Sequence, residues 1–366
     1  MYTLFHKSSF WAVALLSGGL WCACSKSNSG QHTSPTHADA TVQPLQFMLD
    51  NNFSFSNFDT LMKRSGYMDS LNNGTLHTLL VPDNNAFSNA GIRIDSLLAL
   101  PKDSLRVFVG NHILPGLVTT DLVPQTITNP LTASNGQTLY FSKPLITAYV
   151  SSYPDLLKQY QQTLHVNGIK VTLPDRRAVD GALHVLLFPL RPTVATVGGY
   201  LQSHPEYSLY VAALRKFHLF DQLSSTGPYT IFPVNNDVMI SNGLTLDRIN
   251  SDTFDLSHYQ PYLLTAGLLP SRTFMTDFAD AQLPNNNLGY TAYGTIQYSF
   301  GDYNPILGIQ VTNYTSPLGP AYTAYNNIGP YAQAYGKDQQ AAVNGVIMPV
   351  DNILVYPDSV YLYTPH

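Results

Sequence analysis

Apolar and polar residues alternate along the chain with two different periods. Phe58, Leu61 and Met62 follow the i, i+3, i+4 spacing of a helix that buries one face. Residues 78–81 form a short run of the β type, which ends at Pro82 because proline cannot donate to a continuing strand. This order predicts an amphipathic helix followed by a buried strand, and it returns in the second half of the chain.

The further elements follow from the same periods and from turn residues. Asp83 is predicted to cap the helix after Pro82, and Asn84 and Asn85 are also turn and capping residues. Helices come first and strands later in each half, which indicates an α+β fold rather than a doubly wound parallel sheet. Helical patterning continues over residues 95–109, 209–217 and 247–264, and the predicted strands are residues 78–81, 137–142, 169–173, 229–232, 296–299 and 309–314, with strand pairs around Gly181 and Gly345.

Short blocks of the first half return in the same order in the second half. The paired blocks begin at residues 55 and 207, 69 and 221, 81 and 232, 113 and 268, 168 and 308, and 178 and 342. The offset between the copies changes along the chain, so the copies differ by insertions. One insertion is placed within residues 145–162 and the other between residues 311 and 345. The repeat predicts two tandem domains of one fold.

The N-terminus has the pattern of an exported protein. Lys7 precedes an apolar run over residues 10–21, which is too short to span a bilayer but fits the core of a signal peptide. Ala23-Cys24 at its end resembles a bacterial lipobox, whose cysteine carries the lipid. We therefore expect residues 1–23 to be a lipoprotein signal peptide and Cys24 to be lipidated; an ordinary secretory signal is the alternative.

Residues 24–43 are predicted to form the lipidated end and a flexible tether, because they are polar and carry little to bury. Both cysteines lie at or before position 24, so the folded part can form no disulfide, thiolate nucleophile or cysteine-based metal site. The pattern predicts a membrane partner through the lipid. It leaves open which side of the membrane the folded part faces.

Composition excludes several classes of function. The chain has 18 Lys and Arg against 23 Asp and Glu, a net charge of −5, and so lacks the basic surface of a nucleic-acid-binding protein. Glu206 is the only glutamate, which excludes a glutamate-pair glycosidase and an H-E-x-x-H metalloprotease. The sequence has no nucleotide-binding glycine motif, and its histidines lack metal-ligand spacing. We expect no catalysis, cofactor or metal; an aspartate-based hydrolase is the weakest alternative.

Two blocks of the first half resemble the signatures of fasciclin-type domains. Residues 78–87 are similar to the first signature, T-x-F-A-P-x-N-x-A-F, and residues 166–185 contain a segment similar to the second. The resemblance implies two tandem fasciclin-like domains, each a β-wedge or sandwich flanked by helices. They would occupy residues 44–192 and 193–357, the second more divergent, with a tail over residues 358–366.

The resemblance also points to a candidate contact site, since the family carries a Tyr-His pair before a Pro-Gly turn. Here Asn111 replaces the tyrosine, His112 is kept, and Pro115 begins the turn. A ligand or partner contact is implied, and a structural histidine bonded to the backbone is the alternative, which the missing tyrosine favours.

The insertion in the second copy offers another candidate surface, because tyrosine rings can contact a sugar or a protein partner. Packing of these rings on their own domain is the alternative. The candidate residues are Tyr314, Tyr322, Tyr325, Tyr331 and Tyr335.

The resemblance implies an extracellular adhesion or binding module rather than an enzyme. Combined with the lipobox, the chain is similar to fasciclin lipoproteins of Bacteroidota envelopes. We therefore expect an outer-membrane lipoprotein, on the cell surface or the periplasmic face, that binds a protein or a glycan. A structural or accessory subunit of an envelope complex is the alternative.

Overall fold

The computed structural model describes residues 42–144, 163–277, 290–293, 296–300, 308–313, 324–327, 338–359 and 361–362. The leader, Cys24 and nearly all of the predicted tether lie outside these ranges. Thr41–His366 forms one compact unit. Within the described ranges, no helix combines the length and the apolar character needed to cross a membrane.

The first half places five helices beside one sheet. The helices are α1 (Leu45–Asp50), α2 (Ser56–Ser65), α3 (Asn84–Asn89), α4 (Ile94–Leu98) and α5 (Lys102–Gly110). The strands are β1 (His77–Pro82), β2 (Ile113–Pro115), β3 (Asn129–Thr132), β4 (Thr138–Ser142), β5 (His165–Val166), β6 (Ile169–Ala178) and β7 (Gly181–Leu186). Their order is β2-β1-β7-β6-β5-β4-β3, with β1 and β7 parallel and the other neighbours antiparallel.

Alternate residues of β1 face two different cores, as the period of a strand requires. Leu79 and Val81 pack among the helices with Phe58. Leu80 packs on the opposite side with Phe141 of β4. The sheet thus separates a helical layer from a second core built from its own strands, and the predicted α+β wedge is confirmed.

Local sequence rules account for the helix ends. The Asp83 carboxylate accepts a hydrogen bond from the Ala86 N–H at 2.7 Å, as predicted for a capping residue. The prediction of one helix over residues 95–109 is wrong, because Pro101 separates α4 from α5. Proline lacks an N–H group and disfavours a helical conformation in the residue before it.

The second half contains six helices and two small sheets within the described residues. The helices are α6 (Val197–Ser203), α7 (Ser208–Lys216), α8 (Phe220–Ser225), α9 (Asn236–Ser241), α10 (Leu246–Asn250) and α11 (Tyr262–Thr265). One sheet joins β8 (Tyr229–Ile231), β9 (Leu268–Leu269), β14 (Gln340–Ala342) and β15 (Gly345–Ile347) in the order β14-β15-β8-β9. The other joins β10 (Tyr290–Tyr293), β11 (Ile296–Phe300), β12 (Gly308–Asn313) and β13 (Ala324–Asn327). The predicted helix over residues 247–264 is instead α10 and α11, separated by turns.

The internal repeat is visible in the strand pairing. Strand β8 pairs parallel with β15 and antiparallel with β9, just as β1 pairs with β7 and β2. Asp180 accepts a hydrogen bond from the Leu45 N–H at the start of α1 at 2.8 Å. Asn344 accepts the equivalent bond from the Val197 N–H at the start of α6, also at 2.8 Å. The two halves therefore attach their first helix to their last hairpin in the same way.

Direct packing joins the two halves. The Arg272 guanidinium lies 4.1 Å from the centre of the Tyr140 ring, a cation–π contact. It also donates to three carbonyl oxygens within residues 342–345. A Cβ on Gly168 would lie 2.9 Å from the Phe274 Cβ, so the close approach of the halves requires glycine there.

Gly181 provides a test of how the first half closes. Its φ is +153°, and a Cβ at this position would overlap the carbonyl oxygen of His77 on β1. We predict that Gly181→Ala lowers the free energy of unfolding by about 3 kcal/mol or more, because strain and overlap must both be relieved by moving β1. Urea unfolding measures the change.

Gly91→Ala is the matched control. Gly91 has φ +69° but no heavy atom lies within 4 Å of its Cβ position. Its substitution should cost about 1–2 kcal/mol, from the left-handed conformation alone. Equal losses in the two variants would contradict the close approach of β1 and β7.

Candidate binding site

The Asn111–His112 pair holds the chain segment that leaves the first half. His112 is completely buried, and its Nε2 accepts a hydrogen bond from the Leu190 N–H at 2.9 Å. Nδ1 therefore carries the proton and donates to the Phe108 carbonyl at 2.9 Å. Asn111 is also buried and donates to the Arg191 carbonyl at 3.1 Å. A direct ligand contact by either side chain does not fit this arrangement, because neither reaches the surface.

Burial keeps the core histidines neutral. It lowers the pKa of His112 to about 4, against the opposing effect of the carbonyl to which the ring donates. Burial, with Lys170 nearby, lowers the pKa of His165 to about 3. It also lowers the pKa of His184, whose two ring nitrogens are hydrogen-bonded to backbone groups. Uncharged, enclosed imidazoles of this kind stabilise the fold and are poorly placed to transfer protons to a substrate.

In the second half Gly267 stands at the position that matches His112. The Phe232 N–H donates to the Gly267 carbonyl at 2.9 Å, as the Leu80 N–H donates to the His112 carbonyl at 2.8 Å. A Cβ on Gly267 would lie 3.0 Å from the Tyr210 hydroxyl. Both residues line a cavity of about 20 Å³, room for about one water molecule. Burial raises the pKa of the Tyr210 phenol.

The remaining predicted site residues are not brought together. Pro115 is exposed at the end of β2, and Tyr325 lies in β13. Cys24, Tyr314, Tyr322, Tyr331 and Tyr335 lie outside the described residues. The tyrosine surface therefore stays a prediction. Among the described residues, no group of three His, Cys, Asp or Glu side chains could hold a metal ion.

An open groove in the first half was not predicted. It has a volume of about 320 Å³ and lies between α1 and β6, with β7 beneath it. Leu183 and Val185 form its buried floor. Phe47 of α1 and Leu173 of β6 line its sides and are 48% and 52% exposed. This volume lies at the low end of ligand sites, which span about 300–1,000 Å³. We call this surface the α1–β6 groove.

Arg176 and Arg177 add positive charge to the α1–β6 groove. The pairing of β6 with β7 shifts register on both sides of Leu173, and Arg176 comes opposite Leu183 on the groove floor. Both arginines are exposed, and neither has a hydrogen bond or an ion pair to another described residue. A guanidinium in this state is available to bind a carboxylate through two parallel hydrogen bonds.

The second half carries aromatic rings at two positions that match groove-lining residues of the first half. Tyr200 and His204 occupy the positions of Met48 and Asn52, 152 residues earlier. Their ring centres are 3.9 Å apart in a stacked arrangement, and the centre of the Tyr207 ring is 6.5 Å from that of Tyr200. At these two positions the second half therefore carries a ring stack of its own, whereas Met48 and Asn52 line the α1–β6 groove of the first half.

The second half also replaces the groove arginine. Gln340 pairs with Ile347 on β15, as Arg176 pairs with Leu183 on β7. Gln340 is buried and donates to the Pro192 carbonyl at 2.8 Å. The first half thus exposes a cation, with no ion pair among the described residues, where the second half buries a hydrogen-bonded amide.

Sequence reasoning missed the groove because its sides are distant in the chain and β6 is irregular. Phe47 lies near the start of the first half, whereas Leu173 and Arg176 lie near its end. Leu173 and Arg176 are three residues apart, so a regular strand would place them on opposite faces. The register shift between them allows both to line the groove. The available signal was Arg176-Arg177, an adjacent basic pair in a chain that is only 11% charged.

We predict that stability falls as the pH decreases from 7 to 5. The folded states of His112 and His165 stay neutral until about pH 4 and 3, whereas an unfolded histidine is protonated near pH 6.5. The unfolded state therefore binds more protons in this window, so each histidine lowers the free energy of unfolding by about 2 kcal/mol. Aspartates with lowered pKa values lose their contribution only at more acidic pH.

Urea unfolding at pH 7 and pH 5 measures this dependence. His112→Asn should reduce the loss of stability between the two pH values by the contribution of His112, and His218→Asn, at an exposed histidine, is the matched control. A free energy of unfolding that is constant between the two pH values would contradict the assignment.

Comparison with known proteins gives two findings. Residues 53–192 match the profile of the family described as Fasciclin domain. The chain is also similar to the solved FAS1 domain pair from the insect cell adhesion molecule fasciclin I. That match has 16% sequence identity, a TM-score of 0.34, and covers 84% of this chain and 99% of the other. The TM-score is too low to support a structural argument, so the family match carries the assignment.

The matched segment contains all seven strands of the first sheet and ends six residues after Leu186. The second half repeats the strand pairing at the centre of that segment. Fasciclin domains form an adhesion-type family, generally associated with adhesion or binding rather than catalysis. The chain therefore contains a fasciclin domain, located at residues 53–192.

Proposed function

We propose that this chain is a non-enzymatic binding protein of the bacterial cell envelope, held at a membrane by a lipid on Cys24. Its described part would act in adhesion by capturing a protein or a glycan. The observation that carries the proposal is the α1–β6 groove of the half that contains the fasciclin domain, an open concave surface with two arginines that have no ion pair among the described residues. Concave surfaces with an apolar floor and a few polar groups are the usual binding sites of proteins.

The N-terminal sequence supports the anchor. Residues 25–43 could separate the lipid from the folded part by at most about 65 Å when extended, and by about 24 Å on average for a flexible chain. This reach would hold the groove near the membrane surface without fixing its direction. A tethered binding protein can meet a partner on another cell or in the same envelope.

The anchor predicts different outcomes for the two cysteines. Cys24→Ala should abolish incorporation of radiolabelled palmitate and release the protein from the membrane fraction, because it removes the thiol of the Ala23-Cys24 lipobox that would carry the lipid. Cys22→Ala is the matched control and should keep both the label and the membrane association. Equal labelling of the two variants would contradict lipidation at Cys24.

Adhesion requires that the folded part lies outside the cell. Protease treatment of intact cells that express the full chain should remove the C-terminal epitope, detected by blotting. Protection until the outer membrane is permeabilised would contradict adhesion. Cells expressing the wild-type chain should also adhere more than cells carrying the empty vector, and equal adhesion would contradict the proposed role.

A further inference from the structure

The α1–β6 groove combines an apolar surface with two exposed arginines, of which Arg177 also lies within electrostatic range of Asp121 and Arg176 has no ion pair among the described residues. Phe47 and Leu173 are about half exposed above a floor of Leu183 and Val185. Arg176 stands beside that floor without a partner among the described residues. The chain as a whole carries a net charge of −5, so the charge of this patch is opposite in sign to that of the whole protein.

The second half acts as an internal comparison. It keeps the same helix, hairpin and capping bond, yet it stacks Tyr200 on His204 where the first half is open. It also buries Gln340 at the position of Arg176. At these matching positions the second half packs or bonds its own side chains, whereas the first half leaves Phe47, Leu173 and Arg176 exposed, and an exposed apolar patch of this kind is typical of a binding surface.

The chemistry of the groove selects among ligand classes. An apolar centre, amide side chains at the rim and an arginine match the composition of protein–protein interfaces. Gln43 and Asn51 supply the rim amides, which suit the N–H and C=O groups of a peptide. The single aromatic side chain with appreciable exposure is Phe47, so the groove offers little ring surface for stacking on a sugar. Its volume of about 320 Å³ suits a short segment.

On these grounds we propose that the α1–β6 groove binds a short peptide segment of a partner protein, with an aspartate or glutamate next to a large apolar side chain. The carboxylate would pair with Arg176, and the apolar side chain would lie between Phe47 and Leu173. The inference rests on the proposed binding function and names the class of partner that this site takes.

The test uses the full-length protein and an array of synthetic ten-residue peptides. Each peptide carries one Asp or Glu beside Leu, Ile or Phe, and each has a partner peptide with Asn or Gln in place of the acid. Wild-type protein should retain a subset of the acidic peptides and release their amide partners. Fluorescence anisotropy on the best peptide should show weaker binding as NaCl is raised from 50 to 500 mM, because salt screens an exposed ion pair.

Arg176→Gln should weaken the binding of that peptide by roughly tenfold or more, the usual effect of losing a hydrogen bond to a charged group. Phe47→Ala should weaken the binding of the acidic peptide and of its amide partner by the same factor, since it removes an apolar contact that both peptides make. Arg64→Gln is the matched control, because Arg64 is exposed on α2 and does not line the groove. Circular dichroism and thermal melting should show that all three variants are folded.

Three results would overturn the inference: no peptide retained, equal affinity in wild type and Arg176→Gln, or binding only to uronic-acid oligosaccharides printed on the same array.

Cell adhesion separates this inference from the proposed function. Loss of adhesion without the chain, but not with Arg176→Gln, would leave the function standing and refute the groove. Adhesion independent of the chain would refute the function, while the peptide array would still report on the groove.

Discussion

The close parallel pairing of the first and last strands is the constraint on which each half depends. Gly181 lets β7 begin against the carbonyl of His77 on β1, and Gly345 does the same against Tyr229 on β8. The residue before each glycine, Asp180 or Asn344, then accepts a hydrogen bond from the first helix. Strand closure therefore also fixes where that helix lies over the sheet, and in the first half it fixes one side of the α1–β6 groove.

A shared closure allows the two copies to diverge around it. In the first half His112 supports the exit segment, whereas the second half places Gly267 there and brings the Tyr210 hydroxyl close to it. At positions that match the groove the second half supplies stacked rings and a buried amide, while the first half supplies apolar surface and exposed arginines. The second half thus packs or bonds its own side chains at these positions, whereas the first half leaves Phe47, Leu173 and Arg176 exposed. Contacts such as Arg272 on Tyr140 join the two.

Features set by local chemistry could be predicted from the sequence. Asp83 caps α3 because a short acidic side chain follows a proline-ended strand, and the repeat located the hairpins at Gly181 and Gly345. The helix prediction across Pro101 failed because the apolar period continues through a residue that breaks the helix. The groove could not be predicted, since it depends on register shifts in β6 and on the packing of α1, which sequence periodicity does not report. The resemblance pointed instead to His112, which burial removes from any direct contact.

The proposed peptide binding depends on groove positions at which the second half instead stacks Tyr200 on His204. The most direct test transfers these rings, using the double variant Met48→Tyr with Asn52→His, which copies Tyr200 and His204. Titration calorimetry with the best acidic peptide should show binding to the wild type and none to the double variant, while the melting temperatures of the two proteins stay close. Undiminished binding by a folded double variant would contradict the account.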